Sequence, residues 1–197
     1  MVFSAPMTMR AFFNASAGMW LIRRVVHHFD HQDDEAGDSN LIIEPFGLDD
    51  PIVQRICDTL NTSVDLAAGG SRFWWQSNLK VSETSDDNAA VVIDLPNPNN
   101  PREGLLLRDK GYVEKLPVTS RYVFSDDGIL SITTRYSTNV GVERCWFVSD
   151  DVRFRASSVQ LLDGVSMATY CTEIRCHSDI EASKLRGESE AFFLSHV

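Results

Sequence analysis

The feature that most constrains this chain is a succession of short segments in which apolar and polar residues alternate, each closed by a turn signal, with no long helix between them. Residues 18–31, 40–46, 71–81, 89–95, 104–112, 116–125, 129–138, 142–149, 152–161 and 165–176 read this way. That is about ten strands at roughly the 8–12-residue spacing of an all-β barrel or sandwich. Asp126-Asp127-Gly128 and Asp163-Gly164 are hairpin turns. The acidic run 32–39 reads as a loop. So does Pro96-Asn97-Pro98-Asn99-Asn100-Pro101, because its prolines cannot donate to a ladder. Strands joined only by hairpins favour a closed antiparallel meander, and a barrel of this size holds one small ligand.

Two stretches read as helical. Residues 8–17 place Met9, Phe12 and Phe13 on one side, with Thr8 as N-cap and Gly18 as stop. Residues 50–61 open on Asp50-Pro51 and gather Ile52, Val53, Ile56, Cys57 and Leu60 on one face. Residues 1–177 are expected to form one barrel domain, and 178–197 a flexible tail or short docking helix.

The net charge of −10 argues against a nucleic-acid partner, whose phosphates need basic patches. No apolar run has the roughly 18 residues of a membrane helix, and the first residues lack a charged-then-apolar leader, so a cytoplasmic chain is expected. Cys57, Cys145, Cys171 and Cys176 show no metal-site spacing and read as free core thiols. His27-His28-x-x-His31 looks metal-like, but on a strand His27 and His31 would stand about 13 Å apart. Gly164-Val165-Ser166-Met167-Ala168 resembles a nucleophile elbow without the strand–turn–helix context that motif needs.

The hairpin over 142–161 holds the chemistry. With Ser149-Asp150-Asp151 as a three-residue turn, Arg153 stands opposite Phe147 and Arg155 opposite Cys145, with Glu143 one pair further on the same face. A two-residue turn would move Glu143 to the face opposite the arginines. Glu173 shares a face with Cys171 and Thr169. Such a face is either a solvated exterior with weak cross-strand ion pairs or the polar lumen of a ligand site. Arginine forks suit carboxylates, and a buried glutamate suits a protonated nitrogen ligand. Phe73 and Trp75 share one strand face, opposite Arg72 and Trp74, and offer a flat apolar wall.

Several of these segments resemble the S-type phycobiliprotein lyases, the CpcS/CpeS family. The resemblance runs through Phe12-Phe13, Ser16-Ala17-Gly18-Met19-Trp20, Arg24, Leu48-Asp49-Asp50-Pro51 and Gly69-Gly70-Ser71-Arg72. Its most specific part is Pro98-Asn99-Asn100-Pro101-Arg102-Glu103-Gly104 leading into 106–115. It continues through 143–147, 152–155 and 166–175. Ile22, Arg23 and Trp74 depart from the family pattern.

The resemblance implies a mostly β, ten-stranded antiparallel lipocalin-like (calycin) barrel with one or two short helices, binding an open-chain phycobilin as substrate with no permanently bound cofactor. It implies an enzyme that promotes thioether attachment of the bilin to a cysteine of an apo-phycobiliprotein subunit, with phycoerythrobilin and phycoerythrin β expected and phycocyanobilin the alternative. Glu143 and Glu173 are its implied catalytic carboxylates, and Arg153, Arg155, Trp75, Phe73 and Arg24 its implied ligand contacts. A homodimer is compatible, as is the plastid stroma for an algal source. A non-catalytic bilin carrier, a barrel for another carboxylate-bearing hydrophobic ligand, and a scaffold subunit are the rival readings.

Overall fold

The computed structural model describes residues 4–29, 34–76, 89–111, 116–161 and 164–194. Ten antiparallel strands close in the order β1-β10-β9-β8-β7-β6-β5-β4-β3-β2, a meander in which every neighbour but the closing pair is consecutive. They are β1 (Gly18–His28), β2 (Glu35–Phe46), β3 (Gly70–Gln76), β4 (Ala89–Asn97), β5 (Asn100–Arg108), β6 (Val118–Phe124), β7 (Leu130–Arg135), β8 (Asn139–Ser149), β9 (Val152–Leu161) and β10 (Gly164–Cys176). Closure leaves no strand edge exposed along the wall.

Two loops expected from sequence are partly strand. Glu35–Ser39 pairs with β1, down to Val26 opposite Glu35, and Asp38 is held there by a two-pronged bond from Arg23 at 3.1 Å. Ladder and ion pair together outweigh the poor strand propensity of Gly37 and Asp38. Of 96–101, only Pro98 and Asn99 lie outside strands, because the register shifts after Pro96 and lets both flanking prolines sit at strand ends. Residues 77–81 and Tyr112, also read as strand, fall outside the described residues, as do His31 and Asp163.

Helix α1 (Met9–Ser16) starts where the Thr8 side chain accepts from the Ala11 amide, a cap worth about 1 kcal/mol. It plugs one end of the barrel. Met9, Phe12 and Phe13 are buried with Trp20, Ile22, Leu41, Leu106, Phe124 and Phe147 in the main core, each contributing roughly 1.5–3 kcal/mol. Gly18 follows at φ +112°, a value that suits glycine where the chain leaves the plug for β1. Helix α2 (Pro51–Thr59) begins on the Asp50 cap and lays Ile52, Val53, Ile56 and Cys57 against Val91, Ile93, Leu95 and Leu107 on the outside of β4 and β5. Alternate β4 residues therefore serve two cores, with Val92 inside and Val91 and Ile93 outside.

The 178–197 segment includes a 16-residue helix, α3 (Asp179–Leu194). Ala182 and Leu185 cover Leu21, Ile42 and Cys176 on the barrel exterior, and Arg186 donates to the buried Asn40 side chain at 3.1 Å. Ser166 and its neighbours lie within β10, so no strand–turn–helix elbow forms there.

Candidate functional site

The β8–β9 turn decides the inner face. It has two residues, Asp150 and Asp151, with Ser149 opposite Val152. A bulge at Val148 adds back one residue, so Phe147 faces Arg153, Cys145 faces Arg155 and Glu143 faces Ser157. The register derived from a three-residue turn is thus reached by a different route, and Glu143 stays on the arginine face. On the other side of β9, Arg153 faces Glu173, Arg155 faces Cys171 and Ser157 faces Thr169. All these residues point into the barrel, so the solvated-exterior reading is overturned.

At the centre lies a buried ion cluster. Arg153 Nε donates to Glu173 Oε2 at 2.6 Å, its Nη2 closes on the same oxygen, and Arg155 Nε donates to Oε1 at 2.9 Å. The Glu173 side chain is 0% exposed, against 5% for Arg153 and 17% for Arg155. Burial alone would raise the Glu173 carboxyl, but the two guanidiniums hold it below the usual carboxylate range. Arg153 also donates to Ser16 Oγ at 2.6 Å and sits over the Trp20 ring at 4.7 Å. Trp20 Nε1 donates to Ser16 O at 2.8 Å, and Arg175 ties down the Ala15 and Ala17 carbonyls. The cluster therefore runs from the end of α1 through Arg153 and Glu173 to Arg155.

Above it opens a cavity of about 700 Å³. Its wall includes Arg24, Trp75, Arg108, Glu143, Arg155 and Cys171, and it reaches His28 and Glu35 at the barrel end remote from α1. A second, smaller cavity of about 60 Å³ adjoins it toward α1, bounded by Met9, Phe12, Phe13, Phe73, Leu106 and Arg153 among others. Trp75, Arg108, Ile132, Glu143 and Arg155 border both. Phe73 and Trp75 stack with centroids 6.1 Å apart and planes 16° from parallel, forming the expected flat wall.

The implied site residues therefore divide. Arg24, Trp75, Glu143 and Arg155 face the large cavity, and Phe73 and Arg153 face the small one. Glu173 faces neither, because both its oxygens are taken by arginines in front of it. Glu143 is half-buried and accepts only from the Cys145 thiol at 3.7 Å, with no ion pair among the described residues. Arg24 is exposed and likewise unpaired among them. Among the described residues these two charged groups of the cavity wall make no ion pair.

Sequence reasoning missed Arg108, although its signal was present: it lies two residues after Leu106 on β5, so it points inward with that core residue. Ser16 gave no signal of its role, since its partner is 137 positions away. The Cys145 and Cys171 thiols are pushed up by burial and stay protonated, as core thiols should. His27 and His28 pair with Asp34 at 2.6 Å and Glu35 at 3.3 Å, and among the described residues no cluster is placed to hold a metal.

The CpeS-like protein family matches this chain over residues 8–176. The chain belongs to that family. Among curated relatives, this lyase is 54% identical to the Chromophore lyase CpcS/CpeS of Synechococcus sp. (strain WH8020), over 95% of this chain and 94% of the relative. It is 44% identical to Chromophore lyase CpcS/CpeS 4 of Trichodesmium erythraeum, over 87% and 89%. The Phycocyanobilin lyase subunit CpcS of Picosynechococcus sp. is 33% identical over 93% and 94%. The S-type phycobiliprotein lyase CPES from Guillardia theta superposes with a TM-score of 0.71 at 28% identity, covering 87% of this chain and 94% of that one. The lyase is thus a ten-stranded calycin-type barrel and an enzyme of the chromophore-lyase class. No described helix is long and apolar enough to cross a membrane.

Proposed function

We propose that the large cavity binds a phycobilin, phycoerythrobilin in the first instance, and presents it to a cysteine of an apo-phycobiliprotein subunit such as phycoerythrin β. The observation that carries this reading is the charge pattern of the cavity: Glu143, a carboxylate with no ion pair among the described residues, in the same wall as Arg24 and Arg155, beside the Phe73–Trp75 stack. A phycobilin is a flat conjugated molecule with two propionates and pyrrole nitrogens that take up a proton. Arginine forks match the former and a carboxylate the latter. A fatty acid would use the arginines and cover the half-buried Glu143 with apolar chain, desolvating a carboxylate without supplying it a donor, which is costly.

The residues then take distinct roles. Glu143 accepts pyrrole N–H groups and favours the protonated, electrophilic bilin. Arg155 and Arg24 hold propionates, and Trp75 and Phe73 support the rings. Arg153 and Glu173 act through Arg155: Glu173 accepts from its guanidinium and is itself held by Arg153, so they are positioning residues. The client thiol adds across the ring A ethylidene double bond, its sulfur bonding the exocyclic carbon and its proton ending on the ring carbon, with no oxidant needed. This chain supplies no nucleophile and acts by holding and orienting the bilin.

The test is a spectrum of the purified protein with phycoerythrobilin, followed by apo-phycoerythrin β. A red-shifted, sharpened band that becomes an acid-stable adduct on the subunit supports the lyase reading. Binding without transfer supports a bilin carrier, and no spectral change defeats the site.

A further inference from the structure

The small cavity beneath the ligand chamber has no part in holding propionates or pyrrole nitrogens. Its volume of about 60 Å³ is that of about two water molecules, which admits a two- or three-carbon substituent and excludes a pyrrole ring. Its far wall is apolar: Met9, Phe12 and Phe13 from α1, with Val92, Leu106 and Leu130. Its polar neighbours stand at the boundary with the large cavity or, like Arg153, are held by Glu173 and Ser16. An annex with an apolar far wall of this kind gains little from holding water there and gains from an alkyl or vinyl group. It adjoins the large chamber at the level of Trp75, Glu143 and Arg155.

Resting on the proposed function, we infer that this annex takes the alkyl or vinyl substituent of the bilin's terminal ring D, and so decides which end of the tetrapyrrole enters first. The two inner rings carry the propionates and cannot enter an apolar space of this size. That leaves the two terminal rings. Ring A carries the ethylidene that must meet a thiol from another protein, and α1 seals the annex end of the barrel against such a thiol. Ring D therefore points inward, and ring A lies toward the open end near His28 and Glu35. The annex is thus a specificity device that selects on bulk at ring D and leaves ring A free for the client.

The test uses absorbance titrations of the full-length protein with three probes: phycoerythrobilin, an analogue with a butyl group in place of the ring D vinyl, and an analogue with a butyl group on ring A. The ring D butyl is expected to weaken binding about tenfold or more, since overfilling a packed space costs at least a factor of that order. The ring A butyl should weaken it less than threefold, as an open end tolerates bulk. Ala90→Leu, which adds bulk to the annex wall, should weaken phycoerythrobilin itself about fivefold or more. Leu106→Ala, which widens it, should recover most of the ring D butyl penalty. A ring D penalty no larger than the ring A penalty overturns the inference, and needs only the unmutated protein. Failure of phycoerythrobilin to bind at all defeats the proposed function as well, so the two failures are told apart.

Discussion

Replacing Glu173 by glutamine probes the centre of the site with the smallest change of shape. The carboxylate lies between Arg153 and Arg155, with N–O separations of 2.6 and 2.9 Å, and none of it is exposed. An amide can accept from one guanidinium, but its NH₂ then faces the other, so one buried cation loses its partner. Breaking a buried pair in this way costs about 3–5 kcal/mol. For a chain of this length 1 kcal/mol corresponds to roughly 2–4 °C in Tm, so a fall of about 6–20 °C is expected at pH 7. The dependence on pH follows from the depressed carboxyl. A group whose folded-state pKa lies below its unfolded value of 4.5 adds stability above that value and loses it as pH falls through the folded pKa. The gap between wild type and Glu173→Gln should therefore be constant from pH 6 to 8 and narrow below about pH 4.5. Thermal denaturation followed by far-UV circular dichroism measures it, and phycoerythrobilin titration of the variant below its melting point reads the loosened Arg155. A Tm within 2 °C of wild type at pH 7, or a gap that stays constant into acid, would refute the claim that Glu173 is an ionised strut.

Three further outcomes are expected. Arg155→Ala should weaken phycoerythrobilin binding at least tenfold, because it removes a charge-assisted fork from the chamber, whereas Glu143→Gln should change mainly the bound spectrum; unchanged binding and spectra in both would remove these residues from the site. Asp94 is buried, Tyr122 OH donates to its side chain at 2.9 Å, and burial pushes its carboxyl up to about 6. A raised carboxyl favours folding as pH falls from about 6 toward 3.8, so Asp94→Asn should be about 1–2 kcal/mol more stable than wild type at pH 8, with the advantage vanishing near pH 4 in urea denaturation. A chain ended after His177 tests residues 1–177 as the folding unit: it should keep the barrel's β-type circular dichroism and its bilin spectrum while losing about 2–4 kcal/mol with the Ala182, Leu185 and Arg186 contacts, and an unfolded product would show that α3 is integral to the barrel.

What the sequence could determine by itself is whatever is local or periodic. Period-two alternation located the strands, and turn chemistry at Asp126-Asp127-Gly128 placed a hairpin that the structure shows between Phe124 and Leu130. Thr8 and Asp50-Pro51 marked two helix starts that the side-chain caps confirm. The helical face around Cys57 and the strand face of Phe73 and Trp75 were legible for the same reason: both depend only on spacing.

Tertiary structure decided what depends on partners far along the chain. The strand at Glu35–Ser39 exists because β1 lends it a ladder and Arg23 lends Asp38 a partner, neither visible in the local composition. Glu143 shares the arginine face only because a bulge at Val148 compensates a shorter turn, and one residue either way reverses every side chain beyond it. Likewise Glu173 and Glu143, equivalent candidates by residue type, part company in three dimensions. The first is closed off behind two arginines and the second opens onto the chamber, because what a charge can do is set by which neighbours desolvate and pair with it.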